Sequence, residues 1–111
     1  METDDCACLL PRRFGGTATF LGEDTTKGRY GAVSLRRCKH CDRIWLDYFV
    51  EYEGFSRSDR WYRAVVSPED AARVKPTTAV ALIAAQPWHI YGGSYFEHAG
   101  KRGAGLVLVD L

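Results

Sequence analysis

Arg37–Glu53 reads RCKHCDRIWLDYFVEYE. Two cysteines three positions apart are followed by a run whose side chains alternate with period two. Ile44, Leu46, Tyr48, Val50 and Tyr52 fall on one face; Trp45, Asp47, Phe49, Glu51 and Glu53 fall on the other. A strand points successive side chains to opposite faces, so the pattern predicts a strand over Arg43–Glu53 with the first set in the core. The acidic and aromatic second face is expected at an edge or beneath a polar cover. After the loop Gly54–Asp59 (GFSRSD), Arg60–Ser67 (RWYRAVVS) supplies the antiparallel partner strand. Arg63 then stands opposite Asp47 or Glu51, as an ordinary cross-strand pair.

Working outward, Gly31–Arg37 (GAVSLRR) leads into the cysteines as another strand, and a short strand is expected near Thr17–Leu21 within an otherwise irregular 9–30. Ser67-Pro68-Glu69-Asp70 predicts a helix start, with a capping hydroxyl, proline at the first helical position and acids at the positive end of the dipole. This helix stops before Pro76. Thr77 or Thr78 caps a second one, running to about Gln86 before Pro87. Its sequence, AVALIAA, is apolar all round, which predicts burial. Gly93–Glu97 and Ala104–Asp110 are expected to form a last hairpin around a glycine-rich turn. The fold class is therefore α+β: one domain over 1–111, an antiparallel sheet, two short helices and a four-cysteine zinc clip.

The clip rests on Cys6 and Cys8 (CAC) with Cys38 and Cys41 (CKHC). Two thiolates from one tight turn occupy adjacent corners of a tetrahedron, and a second pair completes it. Soft sulfur ligands without carboxylates favour Zn²⁺ over Mg²⁺ or Ca²⁺, while leaving iron open. With four protein ligands no position remains for water, so the ion's role is structural. A disulfide between Cys6 and Cys8 is sterically poor. A redox CxxC sits before a helix, whereas a strand follows here. A zinc deaminase needs His-x-Glu and Pro-Cys-x-x-Cys, and neither occurs. His40, between two ligands, is expected to point outward.

The paired cysteines resemble zinc-ribbon and rubredoxin-like knuckles. The resemblance covers those few residues and departs from the pattern twice: Asp42 stands where such knuckles carry glycine, and the first pair is Cys-x-Cys. It implies a metal clip, and nucleic-acid binding as an alternative role.

Composition limits the function classes. A formal charge of +1 falls by two if four thiolates bind one divalent ion, far from the excess of an electrostatic nucleic-acid binder. No apolar run is long enough to span a bilayer, and the acidic METDDCACLL is unlike a secretory signal. The expected location is cytoplasmic, with no membrane partner. His89, His98, Ser94 and the glycine-rich GKRGAG (Gly100–Gly105) form no catalytic or phosphate-binding motif in sequence. An enzyme would need the fold to bring His89 to Tyr91 or Ser94. The leading expectation is a non-enzymatic module that binds another protein, with immunity against a cognate toxin as its concrete form. Its contact residues are Asp47, Phe49, Glu51, Glu53, Phe55, Arg57 and Asp59, where carboxylates steer a basic partner and aromatics anchor it. The alternative is a nucleic-acid module using Arg36, Arg37, Lys39, Arg43 and Trp45.

Overall fold

The alternation around Tyr48 builds the centre of a six-stranded sheet. In the computed structural model, which describes residues 6–10, 18–52 and 54–109, the strands are β1 (Thr19–Asp24), β2 (Gly31–Arg37), β3 (Ile44–Val50), β4 (Arg60–Val66), β5 (His89–Gly93) and β6 (His98–Gly103). Each pairs antiparallel with its sequence neighbour in the order β1-β2-β3-β4-β5-β6. The sheet is thus a meander with two ends. At one lie the β2–β3 turn and the starts of β1 and β5; at the other lie the β1–β2 connection and the loop 51–59.

Between β4 and β5, the helices α1 (Pro68–Arg73) and α2 (Ala79–Ala85) lie on one face. Ser67 caps α1 as expected, its hydroxyl accepting from the Asp70 N–H at 3.1 Å. Thr78 does not cap α2 with its side chain; its hydroxyl accepts from the Lys75 N–H at 3.0 Å. The expected burial of α2 holds for one stripe alone. Ala79 and Ile83, four positions apart, are buried, while Ala81 and Ala85 are exposed. A seven-residue helix resting on a sheet covers only the side facing it.

Under the helices, Val33, Leu46, Tyr48, Val50, Tyr62, Ala64 and Val66 form the larger core. Trp45, Trp61, Ile90, Cys8 and Cys38 form a second core on the opposite face. The second face of β3 is therefore not an edge: β3 is interior to the sheet, and Trp45 is 0% exposed. Its cover is the cysteine segment.

The final hairpin is displaced from the sequence expectation. Gly93–Glu97 is not a strand: β5 ends at Gly93, the turn is 94–97, and the GKRG run belongs to β6 instead of a loop. Gly93 has φ 127°, and a Cβ there would lie 2.3 Å from the Asp59 carbonyl oxygen, so the chain turns where only glycine fits. Residues 104–109 join no strand. Their alternation is real, with Val107 and Val109 buried and Leu106 and Leu108 exposed. Side chains replace a ladder: the Tyr62 hydroxyl accepts from Leu108 N–H, Arg60 donates to Leu108 O, and Tyr52 donates to Val109 O.

The end opposite the cysteines is fastened by a buried carboxylate. Asp24 accepts from the Tyr48 hydroxyl at 2.6 Å and from the Thr26 hydroxyl and N–H at 2.6 and 3.1 Å, and ion-pairs with Arg29 at 3.2 Å. Burial opposes its ionisation, but the Thr26 and Tyr48 hydrogen bonds and Arg29 together hold its pKa below the ordinary value. The Tyr48 hydroxyl leaves no room for a side chain at position 31, where a Cβ would lie 2.2 Å from it.

Candidate metal centre

Cys6-Ala7-Cys8 opens a single turn of 3-10 helix over Ala7–Leu9, closed by Leu9 N–H to Cys6 O at 3.0 Å. Cys38 follows the last residue of β2, and Cys41 lies in the turn before β3. Two backbone hydrogen bonds close this knuckle, Cys38 N–H to Arg43 O and Asp42 N–H to Cys38 O, both 2.9 Å. Asp42 adopts φ 63°, the left-handed conformation for which such turns favour glycine. Aspartate is among the few L-residues that accept it readily, which explains how the substitution seen in the sequence leaves the turn intact.

The four sulfurs meet. Cys6 Sγ lies 3.5 Å from Cys38 Sγ, Cys8 Sγ lies 3.6 Å from Cys41 Sγ, and all four fall within 4.8 Å of one another. These separations are too long for disulfides. A tetrahedral ion with metal–sulfur bonds of about 2.3 Å needs sulfurs about 3.8 Å apart, which this cluster closely approaches. The site can hold one metal ion with every ligand supplied by the chain.

Its surroundings treat two of the sulfurs in opposite ways. Burial pushes the Cys8 thiol up to about 12, opposed by the adjacent Trp45 indole. That indole N–H is buried and has no oxygen or nitrogen acceptor among the described residues, so it faces the Cys8 sulfur. At Cys41 burial also disfavours the thiolate, but the backbone N–H and side chain of Arg43 outweigh it and bring the pKa down to about 6. Arg63 is buried beneath the cysteine segment, donating to the Cys8 and Leu10 carbonyls at 2.7 and 2.9 Å with its guanidinium 4.0 Å from the Trp45 ring centroid. It both anchors the segment and brings a positive charge to a cluster that carries net negative charge once metallated. In register it stands opposite Asp47, as the sequence suggested, while the Asp47 carboxylate also ion-pairs with Arg36.

The other sequence candidates separate. Asp47 and Phe49 lie half-buried on the cysteine face of β3. Arg57 ion-pairs with Glu97 on the surface. Asp59 accepts from the Ser94 hydroxyl and holds the β5–β6 turn, with Tyr95 N–H on its carbonyl. Glu53 lies outside the described residues. Glu51 and Phe55 come together in a groove of about 590 Å³ with Glu23, Tyr30 and Tyr52. Glu23 and Tyr30 were missed because nothing in their local sequence ties the β1–β2 connection to the loop after β3. Of the nucleic-acid set, Trp45 is buried and unavailable for stacking, and Arg36 is paired with Asp47. Arg37 and Lys39 are exposed, as is His40 at the knuckle tip.

His89 is buried, edge-on to Tyr62 and Tyr91, and its Nδ1 has no hydrogen-bond partner among the described residues. Ser94 is engaged by Asp59. A cavity of about 150 Å³ touches His89, Tyr91 and Phe96 under Leu106 and Leu108. No helix among the described residues is long and apolar enough to cross a membrane. No protein-family model, curated protein or solved structure matches the chain.

Proposed function

We propose that the protein is a zinc-clipped module that binds a basic protein partner. The observation that carries this reading is the groove at the end of the sheet remote from the cysteines. Two carboxylates, Glu23 and Glu51, stand there with Tyr30, Tyr52 and Phe55. Tyr30 and Phe55 are 68% and 61% exposed and line the same groove, an aromatic patch that a partner can cover. Aromatic faces and carboxylates together suit a lysine or arginine side chain, through cation–π attraction and charge pairing. The contact surface foreseen around β3 thus contracts to Glu51 and Phe55 and gains Glu23, Tyr30 and Tyr52. Neutralisation of a basic toxin in the cytoplasm, where thiols stay reduced and able to hold zinc, is the concrete form of this reading. The zinc is structural.

A photo-reactive residue at position 55, in cells that contain the partner, tests it. The expected crosslink is to a basic protein, and Glu23→Lys with Glu51→Lys should abolish it. A crosslink indifferent to both reversals, or one to an acidic protein, rejects the reading. Metal analysis should find one zinc per folded chain.

A further inference from the structure

At the cysteine end, a second groove of about 610 Å³ runs along the sheet face that carries the cluster. Its apolar floor is Leu9 and Val65, and its walls are Arg43, Pro87, Trp88 and Arg102. Among the described residues no carboxylate lines it. The polar groups are held in place. Arg102 lies with its guanidinium 4.1 Å from the Trp88 ring centroid, and Trp88 is in turn braced edge-on by the buried Trp45 at 5.9 Å. Gln86, which also lines the groove, is fixed by its amide to the Leu82 carbonyl at 3.1 Å. Arg43 is anchored by the knuckle, where it contacts Cys41.

We propose that this groove binds a nucleoside phosphate, either free or as a unit of a single strand. Two guanidinium groups on different walls suit a tetrahedral phosphate, which accepts from two forks at once, better than a carboxylate, which one fork satisfies. Arg102 is exposed although one face of its guanidinium rests on Trp88, so the other face offers an indole-backed plane on which a base can stack. The volume lies within the range of small-ligand sites. This site shares no residue with the acidic groove and stands or falls apart from it. It shares Arg43 with the basic set suggested by the sequence and otherwise departs from it: the stack is Arg102 on Trp88 in place of Trp45, and Arg102 is far along the chain from the knuckle.

The test uses the metal-loaded protein and four probes: a labelled oligothymidylate, uridine monophosphate, inorganic phosphate and oligoglutamate. Binding is read by anisotropy for the labelled strand and by tryptophan fluorescence or calorimetry for the others, at about 20 mM and about 200 mM salt. Either nucleotide probe should bind more tightly than phosphate or oligoglutamate, and more weakly at the higher salt. Preference for the strand identifies nucleic acid as the source; equal binding of the monophosphate identifies a free nucleotide. Arg102→Gln, at an exposed position, should weaken binding by about tenfold while leaving metal content and melting unchanged. Trp88→Phe should lower affinity for the nucleotide and leave that for inorganic phosphate unaltered. Oligoglutamate or bare phosphate bound as tightly as the nucleotides, no binding at low salt, or indifference to Arg102→Gln overturns the proposal.

Discussion

The two ends of the sheet solve one problem with different chemistry. Each must tie a connection back onto the central strands. At the knuckle end four sulfurs from two segments, 32 and 33 residues apart in their closest pairs, gather around a point. At the opposite end one buried carboxylate, Asp24, gathers a tyrosine, a threonine and an arginine. Thiolates favour one soft ion over water and turn its affinity into folding energy. A buried carboxylate gains only to the extent that hydrogen bonds and a counter-charge offset the loss of hydration, and it becomes costly once a partner is removed. The first end should therefore fail when metal is withdrawn, and the second when a neighbour is lost.

The largest expected effect breaks the first end. Chelation, or Cys38→Ser, should abolish cooperative thermal unfolding; intact thiols with an unchanged melting curve after chelation would refute the metal centre. Next, Asp24→Ala strands Arg29 and the Tyr48 hydroxyl, and should cost about 3–5 kcal/mol in urea unfolding while the bound metal stays at one ion per chain. Loss of metal in that variant would show that the two ends are not separate fastenings. The Asp24 contribution should also be pH dependent. Its folded pKa is depressed, so the stabilisation is present above the unfolded carboxylate value of about 3.9 and disappears as pH falls through the lower folded value.

A smaller effect belongs to His89, on the helix face at the start of β5. Burial lowers its pKa, so below about 6.5 the unfolded chain takes up a proton that the folded chain refuses. Stability should fall as pH drops from 7 towards 5, and His89→Phe should flatten that slope at saturating metal. Equal slopes would mean that His89 is solvated. The smallest effect is at Asp42. Glycine there removes the left-handed penalty at an exposed site and should stabilise by a few tenths to about 1 kcal/mol, measured by urea midpoint.

The same contrast explains what was legible in the sequence. Cysteine pairs at knuckle spacing announce a cluster because few other uses of four thiols fit that pattern, and the alternation from Ile44 to Val50 announces a strand. Asp24 gave no such sign, since GEDTTKG reads as a solvated turn and only the approach of Tyr48 makes its carboxylate interior. The strands of Trp45 and Arg63 are legible in the sequence, as is the place of Arg63 opposite Asp47. Nothing local says that the N-terminal cysteines cover that face, bury Trp45 and draw Arg63 to the Cys8 carbonyl. The last hairpin slipped because glycine was taken to mark a loop, whereas Gly93 and Gly103 serve close approaches to Asp59 and Tyr91.

By itself the sequence determined the four clustered cysteines, the central strands and the start of the first helix, because those depend on spacing, alternation and capping within a few residues. Only the tertiary structure decided which face of β3 is covered and which carboxylate is buried. It likewise decided that acids and aromatics meet at one end while arginines and an indole meet at the other. Burial and groove lining depend on side chains brought together from distant strands, and their local sequence carries no record of that meeting.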